Sequence, residues 1–180
     1  VQVSYGGYPD TTGLDTIDYR LTDPLLESAG SGRYSAERPL AVLDSFWCYE
    51  PPESDPAVND LPAVGAGGTV TFGCLNRFAK VNEAVLALWA QVLRAVPNSR
   101  LRLLAPAGST RQRVRTFLQE RSIAPERIHF IDRLPRQEYL RAYHEIDICL
   151  DTFPSNGHTT SLDAFWMGVP EVTLIGYVPV

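Results

Sequence analysis

From residue 69 onward, apolar and polar positions switch repeatedly between a period near two and a period near four. Residues 69–74 (TVTFGC) are rich in strand formers. Residues 83–96 repeat apolar side chains at helical spacing, with Val85, Leu88, Trp89, Val92 and Val96 on one face and Asn82 as the N-cap. Pro97, Asn98 and Ser99 end that helix. Residues 101–105 alternate as a strand, and 110–121 form a helix with Val114, Phe117 and Leu118 inward. A strand at 127–131, a helix at 136–145 entered through Pro135 and a short buried strand at 147–151 follow. Residues 159–167 form a helix closed by Gly168, and 172–175 begin another strand. Strands alternating with helices across short connections predict right-handed βαβ units around a parallel sheet covered on both faces. This is an α/β, Rossmann-like pattern.

The earlier part of the chain is weaker in pattern. Residues 1–5 and 17–21 read as strands bridged by the turn-rich GGYPDTTG, and 40–43 as a further one. Between the two regions, residues 50–68 carry four prolines before Ala63 and three glycines near the end, a density that opposes helix and strand alike. The predicted division is the end of one domain at 1–49, a linker at 50–68 and a second domain at 69–180, incomplete at its C-terminus.

Composition sharpens this division. With 180 residues, 44% hydrophobic and 21% charged, the chain is globular and not disordered or collagenous. Residues 1–60 hold three basic and eleven acidic groups; residues 61–180 hold thirteen and ten. That balance argues against nucleic acid as the partner and leaves room for a small anion in the second region. Cys48, Cys74 and Cys149 form no CxxC, which predicts buried thiols in a reducing, cytoplasmic setting. No apolar run approaches the roughly 20 residues of a membrane span. The chain starts at Val1 and its only methionine is Met167, which reads as a piece of a longer protein. Of 16 basic residues only one is a lysine, Lys80.

Ligands of open α/β sheets bind beyond the carboxyl ends of the strands, and three predicted loops there carry candidate chemistry. In FPSNGHTT, Gly157 allows close backbone approach, and His158, Thr159 and Thr160 begin a helix whose free N–H groups and hydroxyls suit a diphosphate. A simple helix cap explains the same residues equally well. Asp163, one turn further on, is placed either for a ribose hydroxyl pair or as an ordinary first-turn acid. In GCLNRFAKV, Lys80 offers a compact ammonium for a phosphate oxygen, with Asn76 and Arg77 within reach of a nucleotide; a solvated loop lysine is the competing reading. In DRLPRQEY, Tyr139 is placed to stack on a base, Arg136 beside it and the backbone near Leu134 at its edge, against a plain helix start with an amphipathic tyrosine. There is no GxGxxG, GxxxxGK[ST], GxSxG, DxD pair or His/Cys cluster, so no metal or dedicated cofactor is expected.

Together these residues resemble the C-terminal catalytic region of the O-linked N-acetylglucosamine transferase/SPINDLY family, two-domain glycosyltransferases of GT-B type. The matching stretches are VQVSYGGYPDTTGLDTIDYRLTDPL, DSFWCYEPP, TVTFGCLNRFAKV, LWAQVLRAVPNSRLRLL and DICLDTFPSNGHTTSLDAFWMGVPEVTL, in family order over nearly the whole chain. The resemblance implies the end of one Rossmann-like domain followed by most of a nucleotide-sugar-binding one. It implies that Lys80 contacts the donor diphosphate and stabilises the leaving group, that His158, Thr159 and Thr160 bind phosphate, and that Asp163 binds the ribose. Arg136, Tyr139 and Arg77 stand where O-GlcNAc transferases carry Lys, His and Gln, and Asp10 stands where relatives carry Gly or Asn.

The activity so implied is inverting, metal-independent transfer of N-acetylglucosamine from UDP-GlcNAc to Ser or Thr hydroxyls of a protein acceptor. The alternatives are O-fucosyl transfer from GDP-fucose, to which the first stretch is closer, and a sugar-nucleotide-binding module without catalysis. The resemblance places a tetratricopeptide array and most of the first catalytic domain upstream, so the isolated chain is expected to be inactive.

Overall fold

The computed structural model describes residues 1–27, 35–51 and 55–175; parts of the expected first domain (28–34), linker (52–54) and final segment (176–180) lie outside them. Two compact units emerge, Val1–Glu50 and Pro51–Ile175.

In the first unit the first two predicted strands shorten to β1 (Val3–Ser4) and β2 (Tyr19–Thr22), and the third lies two residues earlier as β3 (Arg38–Ala41); they pair in parallel in that order. The loop GYPDTTG between β1 and β2 is tied down by Glu37. Its carboxylate accepts hydrogen bonds from the Thr11 hydroxyl (2.7 Å), the Thr12 amide (2.5 Å) and the Thr12 hydroxyl. Burial opposes ionisation of Glu37, but these donors outweigh it and bring the carboxyl down to about 2. Asp23 does similar work, accepting from the amides of Leu25 and Leu26 (both 2.8 Å) and of Phe46 (2.6 Å).

The second unit holds β4 (Val70–Cys74), α2 (Glu83–Ala95), β5 (Ser99–Leu104), α3 (Ser109–Gln119), β6 (Ile128–Ile131), α4 (Arg136–Ala142), β7 (Ile148–Leu150), α5 (Thr159–Trp166) and β8 (Glu171–Val172), after a one-turn α1 (Pro62–Gly65). All five strands are parallel, in the order β6-β5-β4-β7-β8. One core packs α2 and α3 on the sheet around Trp89, Leu93, Leu101, Leu103, Val114 and Leu118. A smaller one holds Leu140, Tyr143, Ile146, Ala164 and Met167 under α4 and α5. Burying each such side chain is worth roughly 1.5–3 kcal/mol, which is why the alternating pattern had to resolve into these layers.

Two details depart from the sequence reading. The buried face of α2 is Val85, Leu86, Trp89, Ala90 and Leu93, whereas Leu88 is 41% exposed. The helix is apolar on so much of its circumference that periodicity alone did not orient it. The expected helix over 136–145 is α4 followed by a 3₁₀ turn, Tyr143–Glu145. From Asp55 on, the Pro/Gly-rich segment is held on the second unit. Asp147 accepts from the amides of Ala63 (2.7 Å) and Thr71 (2.8 Å), and the Asn59 amide group donates to the His144 carbonyl (3.0 Å). Inside β4, Gly73 has no side chain because Ile146 fills the space a Cβ would need.

Candidate functional site

The strand order reverses its direction of growth between β4 and β7, and the loops after these two strands meet at that switch point, where open α/β sheets bind ligands. The loop after β4 runs through Asn76 and Arg77 into a 3₁₀ turn, Phe78–Lys80, and the loop after β7 is DTFPSNGH, containing a cis Phe153–Pro154 bond.

Lys80 Nζ donates to the carbonyl of Asn156 and forms no ion pair with any described residue. Its charge is therefore held by a neutral group and stays free to meet an anion. Asn76, expected to reach a nucleotide, is 3% exposed: its amide group donates to Asp151 Oδ1 (3.0 Å) and Thr152 Oγ1 (3.1 Å), and its oxygen accepts from the Thr160 hydroxyl. It braces the loops and does not line an open surface. Arg77 lies exposed.

Helix α5 starts at Thr159 with His158 in the N-cap position and no side-chain cap, so the simple-cap reading of this run does not apply. The uncapped first turn keeps the Thr159 and Thr160 N–H groups and the positive end of the helix dipole available, while the Ser161 N–H donates to the His158 carbonyl (3.1 Å). Gly157 is required here, since a Cβ would collide with Ser161 Oγ. Burial first, and then the charge of Lys80, push His158 below its ordinary 6.5, so the ring is neutral near pH 7 and able both to donate and to accept. Nearby, burial raises Glu171 on β8 above its ordinary value; a hydrogen bond from Ser161 opposes that shift and the charge of Asp151 adds to it.

The second cluster joins α4 to α5. Arg136 Nη1 donates to Asp163 Oδ1 at 2.7 Å, and its Nη2 lies 3.6 Å from Asp55 Oδ2. Asp163 is 2% exposed, so in this state the carboxylate expected for a ribose is engaged with Arg136. The Tyr139 ring meets Tyr143 edge-on, with centroids 5.5 Å apart and hydroxyls 2.8 Å apart, and Arg136 lies 6.0 Å from its centroid. Burial raises the Tyr139 hydroxyl far above its ordinary value; the hydrogen bond with Tyr143 opposes that shift and the nearby Asp163 carboxylate adds to it, so the hydroxyl stays protonated. Leu134 packs against the smaller core. Tyr143 donates to the Thr160 carbonyl (3.1 Å), tying this cluster to the start of α5.

Sequence reasoning passed over Asp151, Asp55 and Asn156. Asp151 carried a usable signal, an acid at the inner end of a buried strand in a parallel sheet, but it was read only as the strand's terminus. Among the described residues no group of three or more His, Cys, Asp or Glu side chains is placed to hold a metal ion, and no helix is long and apolar enough to cross a membrane.

A model of glycosyl transferase family 41 matches residues 63–178. A Petunia hybrida protein described as "Probable UDP-N-acetylglucosamine--peptide N-acetylglucosaminyltransferase SPINDLY" is 43% identical over 99% of this chain, and an Arabidopsis thaliana protein with the same description but the name SEC is 32% identical over 97%. These matches cover 19% and 18% of the relatives, so the chain spans about a fifth of their length. Among solved structures, a mutant O-GlcNAc transferase of Thermobaculum terrenum superposes with a TM-score of 0.90 at 38% identity, covering 99% of this chain and 34% of that one. The fold is thus the α/β, parallel-sheet GT-B type, and the chain belongs to glycosyl transferase family 41.

Proposed function

We propose that this chain supplies the donor half of a protein O-glycosyltransferase. It holds UDP-N-acetylglucosamine while the sugar passes, with inversion and without a metal, to a Ser or Thr hydroxyl of a protein acceptor. The observation that carries the reading is Lys80, bound to a neutral carbonyl and facing the loop that leads into the uncapped start of α5. In the reaction the bond from the anomeric carbon to the diphosphate oxygen breaks, a bond to the acceptor oxygen forms, and the hydroxyl proton leaves to a base outside this chain. Negative charge grows on the leaving diphosphate. Lys80, the Thr159 and Thr160 N–H groups of α5 and the Thr159 hydroxyl are preorganised donors for that charge, the kind of arrangement that contributes most in many enzymes; the Thr160 hydroxyl, which donates to Asn76, joins them by turning toward the phosphate. Neutral His158 adds a hydrogen bond to a phosphate oxygen. Asp163 takes the ribose hydroxyls once Arg136 turns toward the nucleotide, and Tyr139, Arg136, Arg77 and the Leu134 backbone form the base end. The names of the relatives support this donor and acceptor.

Turnover by the full-length protein with Lys80→Ala tests the reading. The loss of one charged donor to the leaving group is expected to cost on the order of 10²–10³-fold in kcat; unaltered turnover sinks it. The isolated 180-residue chain should bind nucleotide and transfer nothing. GDP-fucose is the second donor to assay, because Arg136 and Tyr139 replace the Lys and His of the O-GlcNAc pattern at the base end. Competition by UDP against GDP separates the two donors, and a protein that binds nucleotide but transfers neither sugar is a binding module.

A further inference from the structure

Asp151 directly follows β7 and is 7% exposed. It accepts five hydrogen bonds. Oδ1 takes the Asn76 amide group (3.0 Å), the Thr152 N–H (2.7 Å) and the Gly157 N–H (2.6 Å); Oδ2 takes the Asn156 amide group (2.9 Å) and the Thr173 hydroxyl (2.7 Å). We infer that Asp151 is a positioning residue for transfer, setting the place of Lys80 and of the start of α5 through Asn156, Gly157 and Asn76. The inference rests on the donor-site reading above.

Three limbs radiate from this one group. The first runs through Asn156, whose side chain is held by Oδ2 and whose carbonyl receives the Lys80 ammonium. The second runs through Gly157, whose N–H is held by Oδ1 one residue before the N-cap of α5. The third runs through Asn76, which is held by Oδ1 and in turn receives the Thr160 hydroxyl. Lys80 and Thr160 are therefore each two hydrogen bonds from Asp151, and His158 is one hydrogen bond and one peptide away.

The chemistry favours a carboxylate at this point. Ionised Asp accepts only, at about four lone-pair sites on two oxygens, and here every donor is neutral. Its capacity is filled by amides and a hydroxyl, so it does not form an ion pair with Lys80, whose ammonium stays available. Asn at the same position would turn an N–H₂ toward the Asn156 amide group or the Thr173 hydroxyl and leave donors unmatched in a buried place. Displacements near 1 Å at a charge-stabilising group cost on the order of 10²-fold in rate. Pinning the loop is then a kinetic matter as well as a folding one.

The test uses the full-length protein with UDP-GlcNAc and GDP-fucose each as donor and a Ser/Thr peptide as acceptor. Asp151→Asn should lower kcat on the order of 10²-fold with the acceptor KM unchanged. On a Lys80→Ala background the same substitution should cost several-fold less than it does alone, because the limb to Lys80 is already cut while those to the start of α5 remain. A merely structural role would lower the melting temperature and multiply with Lys80→Ala. Two results overturn the inference: Asp151→Asn turnover within twofold of the parent, or a double variant that loses the product of the two single losses. If Asp151→Asn does not fold, Asn156→Ala cuts one limb; a several-fold loss that vanishes on the Lys80→Ala background supports the inference, and full turnover overturns it. Lys80→Ala without effect would remove the donor-site reading and this inference with it. A slow Lys80→Ala beside a normal Asp151→Asn would remove the inference alone.

Discussion

Two buried acids hold two loops, one in each unit, and they do it differently. Glu37 in the first unit is reached across 25 and 26 residues by Thr12 and Thr11, whose hydroxyls and one amide satisfy it. Asp151 in the second unit is reached mainly from its own loop, by Thr152, Asn156 and Gly157, with Asn76 and Thr173 closing the set. The first ties a loop to a strand entry and ends there. The second passes its constraint on to a lysine and a helix terminus. What separates an anchor from a site, then, is what the constrained backbone faces, since both carboxylates are well supplied with donors, three on Glu37 and five on Asp151.

Three substitutions or conditions would break or sharpen this contrast. The largest effect is expected from Gly157→Ala, whose Cβ would strike Ser161 Oγ. It should weaken UDP binding on the order of 10²-fold by calorimetry and cost about 1–3 kcal/mol of stability in the second unit. Glu37→Ala comes next. It leaves the Thr11 and Thr12 donors unmatched and should cost the first unit about 1–3 kcal/mol in denaturant unfolding, with UDP affinity unchanged. A loss of UDP affinity would mean that the two loops are not as different as drawn. The smallest effect is on pH dependence. Glu37 is lowered in the fold from an ordinary 4.5 to about 2, so the stability it adds is complete above 4.5 and falls away as pH drops toward 2. Glu37→Gln should flatten that part of the first unit's acid-unfolding profile.

The parallel layers of the second unit were legible because strands and helices there each bury a face, and a buried face leaves its period in the sequence. The strands β4 to β7 begin and end within two residues of the predicted places. The orientation of α2 was not legible, since Leu86, Leu88, Val92 and Leu93 offer competing apolar stripes and only packing on the sheet selects one. In the candidate site, Lys80 stood out by composition, and the run from Gly157 to Thr160 by its small and hydroxylic residues before a helix. Asp151 and Glu37 did not stand out, because an acid's partners are set by the fold and leave no spacing rule behind. The engagement of Asp163 by Arg136 was hidden for the same reason: they stand 27 residues apart on two different helices.

Gly73 lies near the carboxyl end of β4, and Ile146 occupies the place of its missing side chain. Ile146 directly follows the turn that carries Tyr143, and Tyr143 hydrogen-bonds the Thr160 carbonyl at the start of α5. A genetic screen for loss of transfer should therefore recover replacements at Gly73 among its hits. They would be scored as active-site lesions by phenotype, although the fault lies in the plumbing beneath it.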